Sequence, residues 1–337
     1  MRQHKGGWSI KASAALVAAL SALCLSGGAL AQAGKVTIKL NVGTPAGHPY
    51  NVGAETFKRI VEADTGGAVA VQIFPSAQLG SEVESAKNVQ LGTLEATIAS
   101  TSNMSSFVER FNAFSVPYVF KSIACSFAVV DGPLGKEFTD TLLKDARVRV
   151  LGYPTFGARH LFNTKRRVVK VDDIKGLKIR APDNLLEATW RALGGNPVPL
   201  PFPEVFNSLQ QGVIDGDANP LTSIQTFRWY ESVKYVSLTS TAVGVGVMII
   251  NEPFFQKLPK AHQDVILKAG VESVKANRES EAALNAKAEA FLRTQGVNFD
   301  TPNQEEFRAR LAPVLETAKT RFGQATLDRI AAAQTGC

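Results

Sequence analysis

Val36-Thr37-Ile38-Lys39-Leu40-Asn41-Val42 alternates apolar and polar residues with the period of a half-buried strand, and Gly43-Thr44-Pro45-Ala46-Gly47-His48-Pro49 then turns the chain. From about Asn51 to Asp64 the period changes, and Ala54, Phe57, Ile60 and Val61 share one helical face. Ala68 to Phe74 reads as a second strand, residues 81–91 as a second helix and Ala96 to Ala99 as a third strand. This β-α-β-α order predicts an α/β fold in which helices cover a parallel sheet.

Further along, Val148 to Leu151, Val168 to Val171, Leu177 to Arg180 and Val243 to Ile250 carry strand patterns. From Pro259 to Thr294 the pattern is helical, with Gly270 the only breaker after Lys260. Its length and polar composition predict one helix lying across the surface; two helices broken near Gly270 is the alternative. Gln304 to Ala332 reads as one or two more helices.

Ahead of the first strand, Met1 to Lys11 holds Arg2, Lys5 and Lys11 and no acid. Ala12 to Leu25 is apolar, and Ala29-Leu30-Ala31 precedes Gln32 as a small-x-small cleavage site, so residues 1–31 read as a cleaved signal peptide. Ser26-Gly27-Gly28 interrupts the run short of the roughly 20 residues an anchor needs. Lipoprotein processing at Cys24 would require a small residue where Leu23 stands. An exported protein is expected.

Removal of residues 1–31 lowers the formal net charge from +7 to +4, 34 basic residues against 30 acidic. No basic stripe interleaves with aromatics, which argues against nucleic acid as a partner and leaves an anionic small molecule favoured. The remaining length suggests two domains. Cys125 and Cys337 are left after cleavage. They could pair in an oxidising compartment, but Cys337 ends a tail expected to be mobile, so two free thiols are expected.

No Gly-x-Ser-x-Gly, Walker loop or His-Glu-x-x-His occurs, and the four histidines are isolated, so neither a catalytic nor a metal site is expected. Instead, two arginines close apolar β-like runs. Arg159 lies in Gly157-Ala158-Arg159-His160, and Arg180 lies in Gly176-Leu177-Lys178-Ile179-Arg180-Ala181-Pro182. Phe202 follows between Pro201 and Pro203, and Asn219 precedes Pro220. Guanidinium forks, an apolar wall and an amide suit capture of an organic acid. Taken singly, each has a plainer reading: arginines paired with acids such as Asp183, a core phenylalanine and a turn asparagine.

The ordered series Pro75-Ser76-Ala77-Gln78-Leu79-Gly80, Gly176 to Pro182, Gly194-Gly195-Asn196-Pro197-Val198-Pro199 and Gln211-Gly212-Val213-Ile214-Asp215-Gly216 resembles the DctP-like solute-binding proteins of tripartite ATP-independent periplasmic (TRAP) transporters. The resemblance implies a two-lobed periplasmic binding-protein fold of type II-like form, with the ligand cleft between lobes. It places lobe I at 33–156 and 245–285, lobe II at 157–244 and 286–337, and a long helix near 264–294 across both. It implies a bidentate salt bridge from Arg180 to the ligand carboxylate, with contacts from Arg159, Phe202 and Asn219. Glu82, Ser100, Thr44 and His48 stand where substrate-dependent contacts arise. The implied function is periplasmic capture of a sugar acid, dicarboxylate or 2-oxo acid by a monomer without cofactor, and delivery to a TRAP membrane permease driven by an ion gradient. A sensor for a signalling receptor, an ATP-driven binding protein, and an enzyme using Glu82 or His48 as base are the alternatives.

Overall fold

The pattern that opens the chain is realised as β1 (Val36–Val42), α1 (Pro49–Asp64), β2 (Val69–Phe74), α2 (Glu82–Leu91) and β3 (Ala96–Ser100). These are the first elements of a computed structural model that describes Met1 and residues 36–337, so the expected signal segment lies outside the described residues apart from Met1. Ile38 and Leu40 of β1 and Ala54, Phe57 and Val61 of α1 are fully buried, as their periods require. His48 caps α1, its Nδ1 accepting the Tyr50 amide, and Pro49 opens the first turn. Ser81 and Glu84 form a capping box at α2, and Gly92 ends that helix in the left-handed conformation.

The chain continues through α3 (Ile123–Val130), α4 (Pro133–Thr141), β4 (Val148–Gly152), β5 (Thr155–Asn163), β6 (Lys178–Arg180) and α5 (Asn184–Ala192). Next come β7 (Asn196–Val198), α6 (Val205–Gln210), β8 (Gly216–Asn219), α7 (Leu221–Thr226) and β9 (Tyr235–Asn251). α8 (Glu252–Gln256), α9 (Lys260–Thr294), β10 (Asn298–Asp300), α10 (Gln304–Arg310), α11 (Ala312–Phe322) and α12 (Gln324–Ala332) complete it. The carboxyl-terminal tail is thus three short helices.

The strand order is β2-β1-β3-β9-β5-β8-β6-β7, with β4 and β10 also on β9. β1 lies parallel to β2 and β3, and β6 lies parallel to β7 and β8. The expected all-parallel sheet is mixed at its centre, because β9 runs antiparallel to both β3 and β5. Gly246 to Ile250 pair with β3, and Tyr235 to Val245 pair with β5, so one strand of 17 residues belongs to both halves. The pattern at Val243 to Ile250 reveals only its second half. Ser237 and Thr239 bury their hydroxyls in the first half by bonding Val168 O and the Leu161 amide.

Val168 to Val171 forms no strand. Asp173 Oδ2 accepts from the Val169 and Lys170 amides at 2.9 and 3.0 Å and folds the segment into a turn before the 3₁₀ helix Val171–Ile174. α9 is one continuous helix of 35 residues. Gly270 does not break it; a Cβ there would lie 2.6 Å from the Leu151 carbonyl oxygen, so the glycine lets α9 press onto the end of β4. Ile266 and Ala269 of α9 pack with Ile38, Phe57 and Ile250, while Ala288 and Leu292 pack with Phe162, Ile224 and Trp229. A third core joins α4 to the tail helices through Phe111, Phe138 and Phe307.

Cys125 and Cys337 form a disulfide, with Cα atoms 5.3 Å apart, and this corrects the expectation of two free thiols. The tail is held rather than loose. Gln334 is buried, its Nε2 donating to Val119 O at 2.8 Å and its Oε1 accepting the Lys121 amide at 2.8 Å.

Candidate functional site

Arg180 ends β6 and is nearly fully buried. Pro182 biases Ala181 to extended backbone, and the Ala181 amide donates to Val198 O at 2.9 Å, which fixes the strand's exit. Arg180 Nε donates to Leu200 O at 2.8 Å, Nη1 donates to Asp217 Oδ2 at 3.3 Å, and the guanidinium stands 5.3 Å from the Phe202 ring centre. Asp183 is not its partner. That residue caps α5, Oδ1 accepting the Leu185 and Leu186 amides, both at 2.9 Å.

Arg159 lies within β5 rather than at the end of a run. β5 and β8 pair antiparallel, His160 opposite Asn219, and Arg159 Nη1 donates to Ala218 O and to Asn219 Oδ1, both at 3.3 Å. Asn219 Nδ2 in turn donates to Asp217 Oδ2 at 2.6 Å, and Asp217 Oδ1 accepts the Ala218 amide at 2.7 Å. Phe202, held between Pro201 and Pro203, meets Phe156, Phe227 and Trp229 at ring separations of 5.9, 5.1 and 5.5 Å.

Glu82, the first residue of α2, faces these groups from the other half of the sheet. Its Oε2 accepts the Ser100 amide and Asn103 Nδ2, both at 2.7 Å, and Ser100 Oγ lies 3.0 Å from Ser102 Oγ. Glu82, Ser100, Arg159, Arg180, Phe202 and Asn219 together line a cavity of ≈ 20 Å³. A second cavity of ≈ 340 Å³ shares Glu82, Asn103, Arg180, Pro182 and Phe202 with it. The site therefore gathers at the carboxyl ends of β3, β6 and β8, where open α/β sheets place ligands.

Burial raises the carboxyls of Glu82 and Asp217 and lowers Arg159. For Glu82 the hydrogen bonds from Ser100 and Asn103 oppose the rise, and for Asp217 the charge of Arg180 does so.

Thr44 and His48 are not brought to this cavity. Asn51 Nδ2 donates to Thr44 Oγ1 at 2.9 Å, which locks the turn ahead of α1. His48 is fully buried against Tyr50, Phe156 and Phe227, and loss of solvation pulls its ring down to about 3. Because Nδ1 accepts the Tyr50 amide, the neutral ring carries its proton on Nε2, which faces Ser223 Oγ at 3.3 Å. Asn103, Phe156 and Asp217 belong to the site without having been singled out. Asp217 sits inside the Asp215-Gly216-Asp217-Ala218-Asn219 stretch, and its spacing two residues before Asn219 on one strand face was the available signal. Asn103 follows β3 in a 3₁₀ turn and left no pattern.

Behind the cavity, Glu281 of α9 is buried and accepts from Thr222 Oγ1 at 3.2 Å, while its Oε2 has no hydrogen-bond partner among the described residues. Burial pushes this carboxyl up to about 8. Gly157, at φ +103°, admits it: a Cβ there would stand 2.3 Å from Glu281 Oε1.

The family model of bacterial extracellular solute-binding proteins, family 7 (DctP), matches residues 40–321. The chain belongs to that family. It is 36% identical over 304 residues to a solute-binding protein of Verminephrobacter eiseniae, covering 90% of each chain. A TRAP periplasmic solute-binding protein of Polaromonas sp. JS666, bound to D-erythronate, superposes with a TM-score of 0.85 at 30% identity, over 89% of this chain and 98% of that one. A counterpart from Sulfurospirillum deleyianum with bound succinate gives 0.84 at 28% identity, over 89% and 99%. The fold is accordingly the two-lobed α/β fold of TRAP solute-binding proteins, type II-like, and the family's members are transport binding proteins.

Proposed function

We propose that this chain captures a small organic acid in the periplasm and delivers it to a TRAP membrane permease. The observation that carries the reading is the convergence on one cavity of Arg159, Arg180 and Asn219 with Glu82 and Ser100. Two guanidiniums beside an aromatic wall suit a planar carboxylate, and Asn219 and Ser100 suit its hydroxyl or oxo groups. Lobe I comprises 33–156 and 245–285, and lobe II comprises 157–244 and 286–337. The separate cores around Phe57 and Trp229, both joined by α9, support this division.

The protein binds its acid without transforming it. Glu82 Oε2 already accepts two hydrogen bonds, and His48 is sealed from the cavity as a neutral ring, so neither is set up as a general base. A thermal-shift screen of sugar acids, dicarboxylates and 2-oxo acids tests the reading. A ligand at ~100 times its dissociation constant adds roughly 2.7 kcal/mol of stability. A shift from a neutral sugar or an amino acid, with none from any organic acid, would overturn it.

A further inference from the structure

The charged groups of the cleft do not cancel evenly. Arg180 already has a counter-ion in Asp217, 3.3 Å away. Arg159 makes no direct ion pair among the described residues; its hydrogen bonds run to the neutral oxygens of Ala218 and Asn219, and the charge of Asp217 reaches it only at longer range. Glu82 Oε2 is satisfied by two neutral donors, the Ser100 amide and the Asn103 side chain. Asp183 spends Oδ1 on capping α5, and its buried Oδ2 has no hydrogen-bond partner among the described residues. With Asp217 offsetting one of the two guanidinium charges, one net positive charge on the Arg159 and Arg180 pair is left to meet one incoming carboxylate. A second carboxylate would be desolvated beside Glu82, which lines the cavity and makes no ion pair among the described residues, and like charges in a dry site repel strongly. An ionised Glu82 accepts hydrogen bonds only, so it welcomes hydroxyl groups there.

Building on the reading of the chain as an organic-acid receptor, we propose that its cleft selects a hydroxylated monocarboxylate over a dicarboxylate, and that Asp217 sets this selectivity by holding the charge of Arg180. Asp217 is a positioning residue, since it acts through Arg180 and Asn219, both of which it bonds. Without its charge, Arg159 and Arg180 together have a second positive charge free to neutralise a second carboxylate.

Calorimetry with matched pairs tests this: D-erythronate against meso-tartrate, and D-galactonate against galactarate, each pair differing in one terminal carboxylate. In the wild type the monoacid of a pair should bind at least tenfold tighter than its diacid. In Asp217→Asn the ratio should fall at least tenfold, with the diacid gaining. Should that variant not fold, Asp217→Ser, which keeps an acceptor, takes its place; a lost hydrogen bond alone would weaken both members equally. A diacid binding as tightly as its monoacid, or a ratio unmoved in the folded variant, overturns the proposal. If these monoacids fail while succinate or a 2-oxo acid binds, the selectivity falls and the organic-acid reading stands. If no acid of any class binds, both fall.

Discussion

Arg159 Nη1 donates to Asn219 Oδ1 at 3.3 Å across the antiparallel pair β5 and β8. Asn219 bonds Asp217, and Asp217 bonds Arg180, so the four side chains form a continuous hydrogen-bonded series. None can turn without breaking a bond to the next. The groups that would meet a carboxylate are therefore ordered before it arrives, which lowers the entropy lost on binding.

Arg180→Ala should weaken binding of the acid by a hundredfold or more, and Arg180→Lys should also bind poorly. Losing one partner of a buried ion pair costs about 3–5 kcal/mol, and each ~1.4 kcal/mol is tenfold in affinity. An ammonium keeps the charge opposite Asp217 but cannot present a planar fork while also serving Leu200 O. Calorimetry on the folded variant returning wild-type affinity would refute the assignment of the carboxylate to Arg180.

Stability should decline as pH rises across the window set by Glu281. Its carboxyl titrates near 4.5 when unperturbed and about 8 in the folded chain. Between those values the folded state retains a proton that the unfolded chain has released, so stability falls with rising pH and levels off above about 8. Glu82 and Asp217, also raised, act in the same direction, so Glu281→Gln should flatten the decline only in part. Urea unfolding at several pH values measures this, and an identical slope in the variant would show that Glu281 does not titrate in this window.

Reduction of the Cys125–Cys337 disulfide, whose half-cystines are 212 residues apart in sequence, should lower stability by about 2–4 kcal/mol. Thiol titration of the chain from residue 32 onward should find no free thiol before reduction and two after. Affinity for the acid should change little, because neither cysteine lines the cavity. Free thiols in the oxidised, folded protein would contradict the bridge.

Ligand should compact the molecule. The space of ≈ 20 Å³ between the two arginines and Glu82 holds little more than one water, so an acid in the adjoining cavity of ≈ 340 Å³ can reach both arginines only if the walls part and then close around it. A ligand touching both sides favours the closed population. Small-angle scattering should record a smaller radius of gyration at saturation, and an unchanged profile would exclude closure.

The alternating elements from Val36 to Ser100 were legible because each turns one apolar face inward at its own period. β8 was not, since Gly216-Asp217-Ala218-Asn219 is a fully buried strand in which every second residue is polar, held by partners remote in sequence. Arg180 and Asn219 stood out because proline follows closely and fixes the backbone beside them. Asp217 and Asn103 gain meaning only from what they touch, as does the bridge to Cys337, which depends on how Gln334 seats the tail. For Gly270 the sequence pattern suggested weakness, whereas the neighbouring Leu151 carbonyl makes it a point of tight packing.

β9 also governs how the molecule could be dissected. A cut within it would take a strand from both halves of the sheet at once. A fragment carrying only one half is expected to lack part of the pairing that β9 supplies, so a two-piece version would have to restore this strand on reassembly. Permuted or split designs based on this chain should leave Tyr235–Asn251 whole and place their new ends elsewhere.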